Sequence, residues 1–170
     1  KPASQLRGFT VPCAGLKKNQ RIKATVVAFD GEVEGKPASI ETRVINAPPR
    51  PPRLTAVNSQ PRTTEELQVK ELSPASDPDG DRLTLQAIWY EASGKNRLEL
   101  WRGGELRPLP ADRTKKHGKY LLQVTASDGE AVSESSEVWF EVKNTPPPAC
   151  RVTIEPEKPL GGQPLRARIE

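Results

Sequence analysis

The sequence has little of what catalytic, metal-binding and membrane-spanning sites are usually built from. It contains two cysteines, a single histidine and no methionine, and aromatic residues occupy 5% of its 170 positions. Zinc sites need Cys and His clustered at short spacing, and no such cluster is present. No apolar run approaches the roughly 18 residues that cross a bilayer. The sequence therefore predicts neither a zinc site nor a membrane span.

Charge of one sign is not concentrated anywhere in the chain. The 26 basic and 22 acidic residues give a net charge of +4, and no run of Lys or Arg exceeds two residues. Binding to a phosphate backbone needs a concentrated basic face, usually with aromatic residues between the charges. The pattern instead predicts a solvated surface of mixed charge, and it speaks against nucleic acid as a partner.

Catalytic motifs are also missing. His117 lies in the polar stretch KKHGK, and no Ser or Cys stands in a recognisable nucleophile motif. A general base must lie within hydrogen-bond reach of the group it serves. We therefore interpret His117 as a solvated loop residue and predict that the protein is not an enzyme and carries no cofactor.

What the sequence does have is proline, at 18 positions, and short segments of alternating polarity between the prolines. No stretch shows a sustained helical period, and Pro between segments removes no ladder hydrogen bond. The pattern predicts an all-β protein. We expect strands at 53–57, 65–72, 82–91, 97–101, 118–127 and 135–143, with a weaker one near 105–109.

The chain also repeats itself with a period of 98 residues. When residues 1–72 are aligned with 99–170 without a gap, 16 of the 72 positions are identical. Lys17-Lys18 falls on Lys115-Lys116, Asp30-Gly31-Glu32 on Asp128-Gly129-Glu130, and Asn46 on Asn144. The period predicts one complete repeat at 48–147. Residues 1–47 would be the second half of a preceding repeat, and 148–170 the opening strands of a following one.

The complete repeat resembles a known architecture. HGKYLLQVTASDGE is similar to strand F of immunoglobulin-type domains: Leu122 stands where the cysteine would be, and Tyr120 where a tyrosine-corner residue would be. Trp89 resembles the core tryptophan of strand C. Together, DPDGDRLT, VTASDGE and the VKNTPP joint resemble tandem Ig-like, PKD-like and cadherin-like repeats of secreted bacterial surface proteins.

This resemblance implies an Ig-like antiparallel β-sandwich, located outside the cell, on its surface or in the periplasm. It implies a non-catalytic scaffold or spacer in a repetitive adhesin or fibre-like assembly. The Pro-rich joints NAPPRPP and NTPPPA would then be stiff spacers. Two alternatives remain open: a polysaccharide-binding accessory module of a secreted hydrolase, using Trp139 and Trp101, and an adhesion module made rigid by calcium.

The acidic stretch SDPDGDR is the candidate calcium site. Asp77, Asp79 and Asp81 alternate around Gly80, so several oxygens could converge on one hard cation. The same residues suit a tight turn with Asx hydrogen bonds before a strand, which is the interpretation we favour. An EF-hand would place a Glu at the twelfth position, where Ile88 stands.

The two incomplete flanks indicate which partners the chain would bind. By the period, 148–170 precedes 1–47 within one fold unit, so the flanks could complete each other within a chain or between copies. Cys13 and Cys150 lie one in each flank and are candidates for a disulfide. Other copies of the chain or neighbouring repeats are the expected partners, with a surface protein or a glycan as further possibilities.

Overall fold

In the computed structural model, which describes residues 15–58 and 60–169, almost all regular structure is strand. One short 3-10 helix, Ala111–Arg113, is the exception. The strands are β1 (Arg21–Val26), β2 (Ala38–Arg43), β3 (Arg53–Ala56), β4 (Val69–Ser73), β5 (Thr84–Ser93), β6 (Asn96–Gly103), β7 (Lys119–Ser127), β8 (Ser136–Glu141), β9 (Val152–Glu155) and β10 (Arg166–Ile169). Within the described residues, no helix has the length and apolar character needed to cross a membrane.

The central part of the chain is built on a four-stranded antiparallel sheet in the order β6-β5-β7-β8. A second, smaller layer consists of the antiparallel pair β3-β4 and an antiparallel bridge between Leu67 and Leu109. Two antiparallel layers closed over one core form a sandwich, with the strand arrangement of an Ig-like domain. The predicted fold class is therefore confirmed. We call residues 48–147 the central sandwich, 15–47 the N-terminal flank and 148–169 the C-terminal flank.

Alternation along β7 directs one face of the large sheet into the core. Tyr120, Leu122, Val124 and Ala126, which are two apart in sequence, are all fully buried. Residues two apart on a strand share a face, so this one strand crosses the whole core. The other core residues come from the neighbouring strands and the second layer: Leu67, Ala87, Trp89, Leu109, Val138, Phe140 and Val142.

Two aromatic residues hold defined positions in this core. The ring of Trp89 packs at a tilt against Phe140, with 5.5 Å between centroids, and its indole N–H donates to the carbonyl of Arg107 at 2.8 Å. The hydroxyl of Tyr120 accepts the backbone N–H of Lys115 at 2.8 Å. That bond runs back to the chain just before the strand, which is the geometry of a tyrosine corner. Both resemblances to Ig-type domains are therefore confirmed.

Two of the predicted strands differ from the structure. The segment expected to start at residue 65 becomes a strand only at Val69. Before it, a turn is closed by the N–H of Glu65 donating to the carbonyl of Arg62. The weak strand near 105–109 is reduced to the bridge with Leu67, because Pro108 and Pro110 flank Leu109 and offer no N–H donors.

The two flanks repeat the hairpins of the central sandwich at the 98-residue offset. In β1-β2, Ile22 faces Thr42, and in β7-β8 the residues 98 positions later, Tyr120 and Phe140, face each other. The pair β9-β10 has the register of β3-β4 in the same way, because Thr153 faces Arg168 where Thr55 faces Lys70. The sequence period is thus also a period of strand pairing among the described residues.

Within residues 15–58 and 60–169, the hairpins of the two flanks lie in separate sheets. In the part of the chain that the structure describes, β1 pairs with β2 and β9 with β10, and neither pair is joined to the other. Their apolar faces stay open: Val26 is 68% exposed, whereas its counterpart Val124 is fully buried. The composite sandwich of the two flanks, within one chain or between copies, therefore stays a prediction, because each described hairpin forms its ladder hydrogen bonds locally.

Truncation of the fully buried Leu122 tests the core assignment. We expect Leu122→Ala to lower the free energy of unfolding of the central sandwich by roughly 2–5 kcal/mol, since it removes buried methyl groups and leaves a cavity. Denaturant unfolding followed by the fluorescence of the three tryptophans, all of which lie in the central sandwich, measures it. The neighbouring Gln123→Ala on the opposite face is the control, expected to cost under about 0.5 kcal/mol. Equal losses for the two variants would contradict the register.

Candidate functional site

The acidic stretch after β4 forms the tight turn that the sequence favours. One carboxylate oxygen of Asp77 accepts the backbone N–H groups of Asp79, at 2.8 Å, and Asp81, at 3.1 Å. Gly80 takes the left-handed conformation, with a φ of 80°, that a residue with a side chain rarely adopts. Asp77 therefore organises the turn, and the turn presents the two later aspartates outward.

Those two aspartates contact the N-terminal flank. Asp79 accepts the backbone N–H of Ala47 through Oδ2 at 2.8 Å. Asp81 Oδ2 lies 2.6 Å from the ammonium group of Lys18, 63 residues earlier in the chain. The stretch singled out as a cation site thus binds a cation, but one that the protein itself supplies.

Lys18 is held between two carboxylates of the central sandwich. Its Nζ also lies 2.7 Å from Glu130 Oε1, and its side chain is only 17% exposed. The hydrogen bond to Asp81, followed by the one to Glu130, raises the pKa of Lys18 well above its ordinary value. Charge-assisted hydrogen bonds of this length are the stronger class, so the ammonium is firmly anchored.

Asp128 makes the neighbouring contact from the turn between β7 and β8. Its Oδ1 accepts the N–H groups of Glu130 and Ala131, and its Oδ2 accepts the side-chain amide of Asn46 at 2.8 Å. The hydrogen bond from Asn46, followed by the one from Ala131, lowers the pKa of Asp128 to about 2. The carboxyl is therefore ionised under all ordinary conditions and remains an acceptor for the flank.

These contacts define one site, which we call the acid–lysine joint. The N-terminal flank supplies the hydrogen-bond donors of this joint, and the central sandwich supplies the acceptors. The donors are Lys18, Asn46 and the N–H of Ala47, and the acceptors are Asp79, Asp81, Asp128 and Glu130. A cleft of about 600 Å³ lies beside it, lined from both sides by Leu16, Lys17, Lys18, Asn19, Pro78, Asp79, Asp81 and Glu130. Chemically, the arrangement can hold two modules in a fixed relation.

The three aspartates proposed as metal ligands do not meet around one point. Asp77 serves the turn, Asp79 the backbone of the flank and Asp81 the ammonium of Lys18. Among residues 15–58 and 60–169, no group of three or more His, Cys, Asp or Glu side chains is placed to hold a metal ion. Two buried oxygens beside the joint, Asp77 Oδ2 and Asn46 Oδ1, have no hydrogen-bond partner among those residues.

Trp139, the first candidate for a binding surface, lies on the outer face of the large sheet. Its side chain is 50% exposed, and the guanidinium of Arg97 lies 5.5 Å from its ring centroid. Arg97 also pairs with Glu137 at 3.3 Å. The exposed ring is therefore framed by an ion pair, an arrangement that keeps its position while leaving one side open.

Trp101, the second candidate, is turned the other way. It packs against the core, and its ring lies on Gly103, where an added Cβ would come within 2.3 Å of the ring. A bulge in β6 at Leu100 lets both Leu100 and Trp101 face the core, although neighbours on a regular strand point to opposite sides. The structure does not bring Trp101 and Trp139 together.

The remaining candidates that the structure describes, His117 and Cys150, are exposed side chains. His117 is an exposed loop residue in the left-handed conformation, with a φ of 62°, and its N–H donates to the carbonyl of Val142. Cys150 is exposed, and Cys13 lies outside the described residues, so their disulfide stays a prediction.

Sequence reasoning missed the donor half of the joint and the role of Glu130. The signal was present, because Lys18, Asn46 and Glu130 each belong to an identical pair at the 98-residue offset.

The comparisons with known proteins give no family. No protein-family model matches the chain, and no curated protein matches it in sequence. Among solved structures, domains d3-d4 of the rat CD45 extracellular region share 13% identity with a TM-score of 0.44, covering 84% of this chain and 73% of that one. Domains A168-A170 of titin share 16% identity with a TM-score of 0.40, covering 63% and 37%. At scores below one half, neither match assigns the chain to a family.

The depressed pKa of Asp128 generates a pH prediction. A carboxyl whose folded pKa, about 2, lies below the ordinary 3.8 stabilises the folded state above pH 3.8. That contribution is lost as the pH falls toward 2. Carboxyl NMR titration should give Asp128 a lower pKa than Asp30, which caps the equivalent turn but has no Asn46 contact. In Asn46→Ala the two values should converge; an unchanged Asp128 would contradict this assignment.

Occupation of the joint by Lys18 generates a calcium prediction. A calcium ion would have to displace the ammonium from Asp81 and Glu130, so we expect no site tighter than about 100 µM in the full chain. Isothermal titration with calcium chloride measures it, and Lys18→Gln, which vacates the position, is the matched comparison. Micromolar binding by the unaltered chain that is lost in Asp79→Asn would overturn the prediction.

Proposed function

We propose that this chain is a segment of a non-catalytic, extracytoplasmic spacer in which Ig-like repeats are held at a fixed mutual orientation. The observation that carries the proposal is the acid–lysine joint. Four contacts between distant parts of the described chain, each involving a carboxylate, converge there and join the flank to the sandwich. A module whose task is spacing needs this kind of contact more than it needs a pocket.

The linker between the two parts supports the same proposal. Pro49 and Pro52 are buried, so the linker packs against the protein and is not a free tether. Between these prolines, Arg50 and Ser76 exchange backbone hydrogen bonds at 2.7 and 3.2 Å. Ser76 immediately precedes the acidic turn. The Pro-rich linker and the acidic turn are therefore fastened to each other, and polyproline geometry limits bending.

The joint also suits an environment of variable ionic strength. Exposed ion pairs are weakened by salt, whereas partly buried pairs are screened less. Lys18 is mostly covered, and two of the four contacts use neutral donors, the N–H of Ala47 and the amide of Asn46. A spacer outside the cytoplasm would keep its geometry because the covered ammonium of Lys18 is screened little by salt and the neutral donors are not screened.

Polysaccharide binding is the weaker candidate. The expected surface combined Trp139 with Trp101, and two side chains can contact one ligand together only if they lie on the same face of the sheet. Trp101 packs inward, so Trp139 is left alone with Arg97 on the outer face. Attachment of this module to a wall, surface protein or fibre remains part of the proposal, without a named partner.

Loosening the joint tests the spacer proposal. We expect Lys18→Gln to free the flank, because Asp81 and Glu130 lose their shared counter-ion. Residual dipolar couplings of β1-β2 and of the large sheet should fit one alignment tensor in the unaltered chain and two in the variant. The control is Lys23→Gln in the same flank, where the ion pair of Lys23 with Glu41 is 4.0 Å long and exposed.

Unfolding of the central sandwich should change by no more than about 0.5 kcal/mol in both variants, since neither residue belongs to its core. Two separate tensors already in the unaltered chain would contradict a fixed joint. A single alignment tensor in both variants, Lys18→Gln and Lys18→Glu, would contradict the role given to Lys18.

A further inference from the structure

The donor half of the joint recurs at the far end of the central sandwich. Lys116 and Asn144 stand 98 positions after Lys18 and Asn46. The backbone around them is also the same. The residue after each lysine has a left-handed φ, 68° at Asn19 and 62° at His117. The N–H of Asn19 donates to the carbonyl of Val44, and that of His117 donates to the carbonyl of Val142, its counterpart. Lys116 and Asn144 are thus held in the geometry that the flank uses for docking.

Their surroundings differ in one respect. Lys18 and Asn46 are partly buried under the acidic turn of the sandwich, whereas Lys116 and Asn144 are exposed. A lysine and an asparagine at equivalent positions of the repeat are therefore covered in one copy and exposed in the other, on the same backbone conformation.

Part of the acceptor half recurs as well, at the opposite end. Asp30 and Glu32 are the counterparts of Asp128 and Glu130, and Asp30 caps its turn through the same pattern of two backbone N–H groups. Both residues are exposed on the N-terminal flank. Donors and acceptors thus lie at the two ends of a repeat, separated by the length of β7, about 30 Å for nine residues.

We infer that Lys116, Asn144 and the backbone N–H of Thr145 form a docking surface for the acidic turn of another copy of this repeat. The occupant would supply the counterparts of Asp79, Asp81, Asp128 and Glu130. A head-to-tail contact of this kind is heterologous, so it propagates along an array instead of closing. The inference rests on the proposed function, a spacer of Ig-like repeats, together with the prediction from the 98-residue period that residues 148–170 open a following repeat.

A joint formed at Lys116 and Asn144 would have the same charged contacts as the acid–lysine joint, but different residues at the rim of its cleft. Leu16 is replaced by Thr114, and Asn19 by His117. The lysine and the asparagine, which make the direct contacts with carboxylates, are unchanged. The occupant is therefore selected by its acids, and the rim can vary between joints.

The test completes the following repeat. The full chain is extended at its C-terminus by a copy of residues 73–147, which continues the 98-residue register. The copy carries Lys116→Arg, so that its peptides differ in mass from the original. Amine acetylation at neutral pH, quantified by peptide mass spectrometry, then reports the accessibility of each lysine in the original and the extended chain.

We expect acetylation of Lys116 to slow by about fivefold on extension, the effect of a contact at the upper end of the range for partly exposed ion pairs. The exposed Lys36, remote from both joints, should react equally in both chains. Replacing the copied Asp81 by Asn and the copied Glu130 by Gln should restore the original rate at Lys116. That variant separates the ion pair from simple steric cover.

The outcomes separate the two proposals. Hydrogen exchange shows whether the added repeat folds; if it does not, the tandem-array function and the docking surface both fail. If it folds and Lys116 stays as reactive as in the original chain, only the docking surface is overturned. If Lys116 is protected but the neutralised copy protects it equally, the acidic turn is not the occupant, and the inference fails.

Discussion

The ammonium of Lys18, held between Asp81 and Glu130, is the contact on which the relation of flank to sandwich depends. An ammonium that is largely covered must be compensated by partners, or its desolvation would eject it. Without it, two carboxylates from different loops would face each other across the cleft. The other contacts of the joint are hydrogen bonds donated by the neutral groups of Asn46 and Ala47. They help to orient the flank, but they do not neutralise the carboxylates of Asp81 and Glu130.

The acidic turn shows how one short stretch can serve two levels of structure. The carboxylate of Asp77 accepts the backbone N–H groups of Asp79 and Asp81 and so closes the turn, which then sets the direction of their side chains. Local hydrogen bonding of this kind explains why carboxylates alternate without converging on a cation. A turn and a cation site place similar residues in sequence, and the distinction lies in where the second and third carboxylates point.

The central sandwich supplies the rigidity that the joint needs. Tyr120 ties the start of β7 to the chain before it, and Trp89 fastens the middle of the large sheet to the carbonyl of Arg107. Both are buried aromatic residues with a satisfied polar atom, which combine apolar burial with a directional bond. Because β7 spans the core and ends at the turn of Asp128, the core and the joint are connected by one strand.

The sequence by itself determined the strands with regular alternation, the buried set of β7, the turn chemistry of Asp77 and Asp128, and the 98-residue period. These follow from local rules: side chains alternate every two residues, and Asp and Gly have fixed roles in turns. Only the tertiary structure decided that Lys18 meets Asp81 across 63 residues, that a bulge turns Trp101 inward, and that each flank pairs locally. The physical reason is that alternation assigns a residue to a face of its strand, whereas its partner across a joint depends on how separate elements pack.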